Sequence, residues 1–120
     1  MKRILVVDDE ESIRLLYQEE LQEQGYEVIL AGNADEAIEQ FTATSPDLII
    51  LDIKMPGRSG IEALQVIREQ SRDVPVILST AYGEYKQNLE TWASDAYVVK
   101  SANMDNLIQK VREILSRTQA

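Results

Sequence analysis

Asp47-Leu48-Ile49-Ile50-Leu51-Asp52-Ile53-Lys54-Met55-Pro56-Gly57 is the stretch from which the fold can be read. The apolar run Leu48 to Leu51 is too short for a helix and shows no polar alternation, so it reads as a strand covered on both faces. Asp52 ends that strand, and Pro56 with Gly57 forces a turn. The carboxylate is thereby left at the C-terminal edge of a parallel sheet, where open α/β folds collect their ligands. Asp52 is the expected chemical centre.

Working outward, similar apolar runs fall at 4–7, 28–31, 74–78 and 96–99, with longer amphipathic stretches between them. From Glu10 to Gln24 the residues Ile13, Leu16, Tyr17 and Leu21 keep helical spacing, and Gly25 supplies a stop. Asn33 followed by Glu36 resembles a capping box, and Ala34, Ala37, Ile38 and Phe41 form the stripe of a second helix running towards Ser45-Pro46. Ser59 with Glu62 repeats the capping signal and opens a third helix with Ile61, Leu64 and Ile67 inward. A fourth helix over 84–94 has only the weak stripe Leu89, Trp92 and Ala93. The last helix puts Met104, Leu107, Ile108, Val111 and Leu115 on one face, with Arg112 and Arg117 near its C-terminal end. Alternating strands and helices with right-handed crossovers predict an α/β, flavodoxin-like (βα)5 doubly wound fold. Its five-stranded parallel sheet takes the order 2-1-3-4-5, in one domain spanning 1–120.

Composition narrows the chemistry. The chain has 120 residues, 44% hydrophobic and 28% charged, which is ordinary for a globular domain. A formal charge of −9 argues against direct nucleic-acid binding, because phosphates repel such a surface. With no cysteine and no histidine, thiol nucleophiles and Cys/His zinc sites are excluded, leaving carboxylates, hydroxyls, lysines or a bound metal. The apolar run 4–7 is too short for a signal-peptide core or a membrane span, so a cytoplasmic location without membrane contact is expected.

The predicted strands end in Asp8-Asp9, Asp52, Ser79-Thr80 and Lys100. In the order 2-1-3-4-5 these are neighbours around the switch point, so three carboxylates, a hydroxyl and an ammonium should converge on one edge. Two unit charges ~4 Å apart interact by about 4 kcal/mol at an effective dielectric near 20, so three carboxylates need a cation, and Lys100 offsets only one. Mg²⁺ suits the remainder, since it takes hard oxygen ligands and is commonly held by carboxylates, waters and phosphate oxygens. Asp9 and Asp52 are the expected direct ligands, with Asp8 direct or through water. A metal beside a carboxylate nucleophile, with Thr80 and Lys100 to bind phosphoryl oxygens, is equipment for phosphoryl transfer onto Asp52.

Together these residues resemble the receiver domain of two-component response regulators. The acidic pair Asp8-Asp9, the strand ending at Asp52, Met55-Pro56-Gly57, Gly60, Thr80-Ala81 and Lys100 stand in that family's order over essentially the whole chain. The resemblance implies Mg²⁺-dependent transfer to Asp52 from a histidine kinase or histidine phosphotransferase, with the backbone carbonyl of Lys54 as a further metal ligand. Thr80 and Lys100 would serve the phosphoryl group, which brings roughly −1.5 to −2 of charge. The resemblance also implies a switch in which Tyr97 turns inward as Thr80 moves. That would alter the face made by the fourth helix, the fifth strand and the last helix, which an output domain, an effector protein or a second copy of the chain would read. Lys54 and Tyr82 stand where side chains flank the phosphoryl group and modulate its hydrolysis. One position departs from the family: Ser101, rather than proline, follows Lys100. A non-proline cis bond costs about 2.5–4 kcal/mol, so a trans Lys100–Ser101 bond is expected.

Blander readings compete at each position. Asp8-Asp9 alone would be a helix cap, Thr80 a turn residue, Lys100 a solvated charge and Tyr97 a half-buried strand aromatic. Two other function classes also compete. One is a degenerate receiver serving as a phosphorylation-independent interaction module, favoured only by the Lys100-Ser101 junction. The other is an aspartyl-nucleophile phosphatase, for which a second Asp would be expected two residues after the nucleophile, where Lys54 stands. The expected role is a phosphoacceptor signalling domain that turns over no separate metabolite.

Overall fold

The computed structural model describes residues 1–53, 57, 59–80, 96–99 and 104–117, with the side chains of 80, 96–99 and 117 left aside. Among these residues the chain runs β1 (Arg3–Val7), α1 (Glu11–Glu23), β2 (Glu27–Ala31), α2 (Ala34–Thr44), β3 (Leu48–Asp52), α3 (Gly60–Gln70), β4 (Val76–Thr80), β5 (Ala96–Val99) and α4 (Asp105–Arg117). The strands form one parallel sheet in the order β2-β1-β3-β4-β5, as the sequence predicts. The helix expected over 84–94, with Trp92 and Tyr82, lies outside the described residues.

Strand parity divides the core in two. Leu5, Val7, Ile49, Leu51, Val76 and Leu78 pack beneath α2 and α3. Ile4, Val6, Leu48, Ile50 and Ile77 face the other way, against Tyr17 and Leu21 of α1 and the Met104, Leu107, Ile108 and Val111 stripe of the C-terminal helix. A central strand whose two faces both need apolar cover has no room for polar alternation, which is why the burial of β3 is continuous.

The helix boundaries have local causes. Asn33 Oδ1 accepts the Glu36 N–H at 2.8 Å and Ser59 Oγ accepts the Glu62 N–H at 3.2 Å, each satisfying a donor that the first helical turn leaves open. Gly25, at φ +92°, closes α1 in a conformation that a side chain would strain. α2 ends differently, with Ser45 in the left-handed region at φ 47° before Pro46. Ser45 is exposed, so Ser45→Gly removes the strain without losing packing. It is expected to raise the unfolding free energy by about 0.5–1 kcal/mol, read from a urea midpoint at unchanged slope.

The largest boundary difference is at β4, which begins at Val76 rather than Val74. Pro75 contributes its carbonyl to the Ile49 N–H at 3.0 Å, but it has no N–H of its own to continue the ladder backwards. In α4, Ile114 is buried beside the expected stripe.

Candidate functional site

The acidic cluster arises from where three chain segments stop. Asp8 follows β1 in the alternation of Ile4 and Val6, and its N–H still bonds the Ala31 carbonyl of β2 at 3.1 Å. Asp52 is the last residue of β3, paired with Ser79 of β4. Both carboxyl residues are buried, Asp8 at 1% and Asp52 at 4% exposure, whereas Asp9 is exposed. Ligand oxygens from Asp8, Asp9 and Asp52 all lie within 4.8 Å of one another. The structure therefore gathers the three expected carboxylates at the C-terminal edge of the sheet.

This donor set fits a hard divalent cation. Opposite ligands of an octahedral magnesium stand about 4.2 Å apart, so oxygens within the observed spread can close on one ion with sub-ångström movement. Two of the three carboxylates are buried, where mutual repulsion is screened least, so neutralisation by a cation has the most to gain here.

Asp8 has a second task. Its Oδ1 accepts the Glu10 N–H at 2.9 Å in an Asx-type turn that leads the chain from β1 towards α1; the helix-cap reading fails, because the N-cap of α1 is Glu10 and no side chain caps it. Arg14, one turn into α1, donates to the Asp8 backbone carbonyl at 2.6 Å and brings a positive charge beside the pair. Asp9 has the simpler position. Asp9→Asn is expected to raise the melting temperature in metal-free, low-salt buffer by about 1–3 °C, by removing one of three clustered charges, with the gain shrinking as salt is added.

Gly60 supports Asp52 from below. Its N–H bonds the Ile53 carbonyl at 2.8 Å, and the start of α3 lies directly against the end of β3. A Cβ on Gly60 would collide with the Asp52 carbonyl oxygen and stand 2.8 Å from the Asp52 carbonyl carbon and 2.9 Å from Ile53 Cα. Only glycine allows so close an approach.

The remaining expected site residues are placed less fully. Thr80 ends β4 and pairs with Val99 of β5, which Lys100 follows in sequence, and Tyr97 pairs with Leu78. The Thr80 and Tyr97 side chains, Lys54, Lys100 and the Lys100–Ser101 bond lie outside the described residues. One feature escaped the sequence reading: the Tyr17 hydroxyl of α1 and Ser79 Oγ of β4 share a buried hydrogen bond at 3.0 Å. Helical spacing reads Tyr17 as a stripe residue, although a tyrosine among aliphatics signals a hydroxyl in want of a partner.

The fold and this site together resemble known proteins closely. The model of the response regulator receiver domain matches residues 4–112, and the chain belongs to that family. A probable transcriptional regulator, ycf27 of Cyanophora paradoxa, is 40% identical over an alignment of 121 positions that covers 98% of this chain and 50% of that protein. The chain thus spans about half the length of the curated relatives it matches. The response regulator TrrA of Thermotoga maritima, solved in complex with Mg²⁺-BeF, is 54% identical at a TM-score of 0.91, covering 95% of this chain and 99% of that one. A structure of the histidine kinase ThkA in complex with TrrA matches at 53% identity and a TM-score of 0.89, covering 96% of this chain and 99% of that one. Among the described residues no helix is long and apolar enough to cross a membrane.

Proposed function

We propose that residues 1–120 act as one receiver domain that takes a phosphoryl group on Asp52 from a phosphohistidine donor in a Mg²⁺-dependent reaction. The observation that carries this reading is the gathering of Asp8, Asp9 and Asp52 at the sheet edge, two of them buried. In the reaction an Asp52 carboxylate oxygen forms the bond to phosphorus as the donor's P–N bond breaks, and the neutral imidazole leaves. Water later cleaves the acyl phosphate and restores the carboxylate. Magnesium, when bound, would supply charge neutralisation for the transfer. Asp8, Asp9 and Asp52 with the Lys54 carbonyl would hold it, while the Thr80 hydroxyl and the Lys100 ammonium would bind phosphoryl oxygens.

Partners follow from the same reading. TrrA is seen with a histidine kinase, which supports a histidine kinase or phosphotransferase as donor for this chain. Relatives twice as long that are transcriptional regulators support an output domain or effector downstream. With a charge of −9, this domain leaves any nucleic-acid contact to such a partner. It signals through the face made by the helix expected over 84–94, β5 and α4, which can also pair two copies, and it catalyses only its own phosphorylation and dephosphorylation, in the cytoplasm. Intact mass after incubation with acetyl phosphate tests the proposal. One phosphoryl group should be gained with Mg²⁺ and none with chelator, whereas no gain by the folded protein with Mg²⁺ would refute it.

A further inference from the structure

Among the described residues, the layer beneath the acidic cluster is apolar except at one place. Ile4, Val6, Ile50 and Ile77 line it, and within it the Tyr17 hydroxyl meets Ser79 Oγ at 3.0 Å. Both residues are almost completely buried, at 4% and 1% exposure. A phenylalanine facing an alanine would fill such a layer without the desolvation that two hydroxyls demand, so the bonded pair brings little stability that an apolar pair would not.

Its position is more informative. α1 begins three residues after Asp8, so the helix that carries Tyr17 is joined directly to the acidic pair. Helical side chains lean towards the N-terminus of their helix, and Tyr17 accordingly reaches back to the C-terminal end of β4, where Ser79 stands. Ser79 pairs with Asp52 on one side and precedes Thr80 in the chain. The bond therefore ties the segment bearing Asp8 and Asp9 to the strand end bearing Thr80, across the floor of the site.

We infer that Tyr17 and Ser79 are positioning residues whose hydrogen bond sets the placement of the β4 end against the acidic pair, and so the rate at which Asp52 is phosphorylated. This rests on Asp52 being the acceptor. The link acts on the reacting geometry and leaves metal binding alone, because the two hydroxyls bond each other while the carboxylates supply the cation's ligands.

The test compares wild type with Tyr17→Phe, Ser79→Ala, the double variant and Ser79→Thr. Each is measured for its phosphorylation rate constant at saturating acetyl phosphate, donor half-saturation, Mg²⁺ affinity and melting temperature. Both single variants and the double should lose about fivefold in the saturated rate. The double should lose no more than the larger of the two single losses, because the Tyr17–Ser79 bond is common to all three. Donor half-saturation and Mg²⁺ affinity should stay within about twofold of wild type, and the double variant should melt within about 3 °C of it. Ser79→Thr keeps the hydroxyl and should recover most of the rate. A double variant as fast as wild type overturns the link alone. So does a rate loss that follows Mg²⁺ affinity or melting temperature, or a Ser79→Thr protein as slow as Ser79→Ala. A folded wild type that takes no phosphoryl group overturns the acceptor reading and this inference together.

Discussion

Asp52→Asn is expected to end phosphoryl uptake, with less than about one thousandth of the wild-type rate in Mg²⁺ and acetyl phosphate. Asparagine keeps the shape of the side chain at the end of β3 but offers an amide oxygen too weakly nucleophilic to displace a leaving group from phosphorus. The same change removes one of three clustered carboxylates, so Mg²⁺ should bind about tenfold or more weakly. Stability should move the other way. Without metal, relief of repulsion at a site only 4% exposed should raise the melting temperature by about 3–6 °C, and the further rise that Mg²⁺ gives wild type should be largely lost. Intact mass and thermal melts with and without Mg²⁺ check both halves. A variant that still gains the group would move the acceptor elsewhere, and one that melts lower in metal-free buffer would mean that Asp52 is held by partners worth more than the repulsion.

Much of this site is legible in the sequence because it sits at strand ends, and buried parallel strands announce themselves as continuous apolar runs. Leu48 to Leu51 placed Asp52, and Ile4 to Val7 placed Asp8, with the order of the sheet following from the alternation of elements. The caps at Asn33 and Ser59 were legible for a similar reason, since their partners stand three residues away in sequence. What stayed hidden depends on contacts between distant segments. Ser79 lies 62 residues from Tyr17, and no local pattern states which buried hydroxyl another will meet. Arg14 reads as an ordinary helical cation until its helix is seen to start beside the Asp8 carbonyl. Hydropathy counts Val74 and Pro75 into β4, but hydrogen-bonding capacity decides and starts the strand at Val76. Gly60 was visible as a family landmark, but its physical reason, the absence of room for a Cβ, is a property of the packed structure.

That packing makes Gly60→Ala the substitution with the largest expected cost to stability. Helix propensity alone would favour alanine by about 1 kcal/mol. Against this, the new methyl group would occupy the space of the Asp52 carbonyl oxygen, and a clash of Cβ with main chain cannot be relieved by changing a rotamer. Either α3 lifts from the sheet, or the end of β3 moves and takes the Asp52 carboxylate with it. The loss should reach about 3 kcal/mol or more, measured as a fall in the urea midpoint. Gly25→Ala provides the comparison, because Gly25 sits at φ +92° with nothing within 4 Å of an added Cβ. It suffers backbone strain without collision, and should cost only about 1 kcal/mol while leaving phosphorylation at the wild-type rate. Any Gly60→Ala protein that remains folded should take up phosphoryl groups at least about tenfold more slowly, since an ångström of displacement at the acceptor is enough to spoil in-line attack. Equal midpoints for the two variants would mean that the approach of α3 to Asp52 is looser than these distances require.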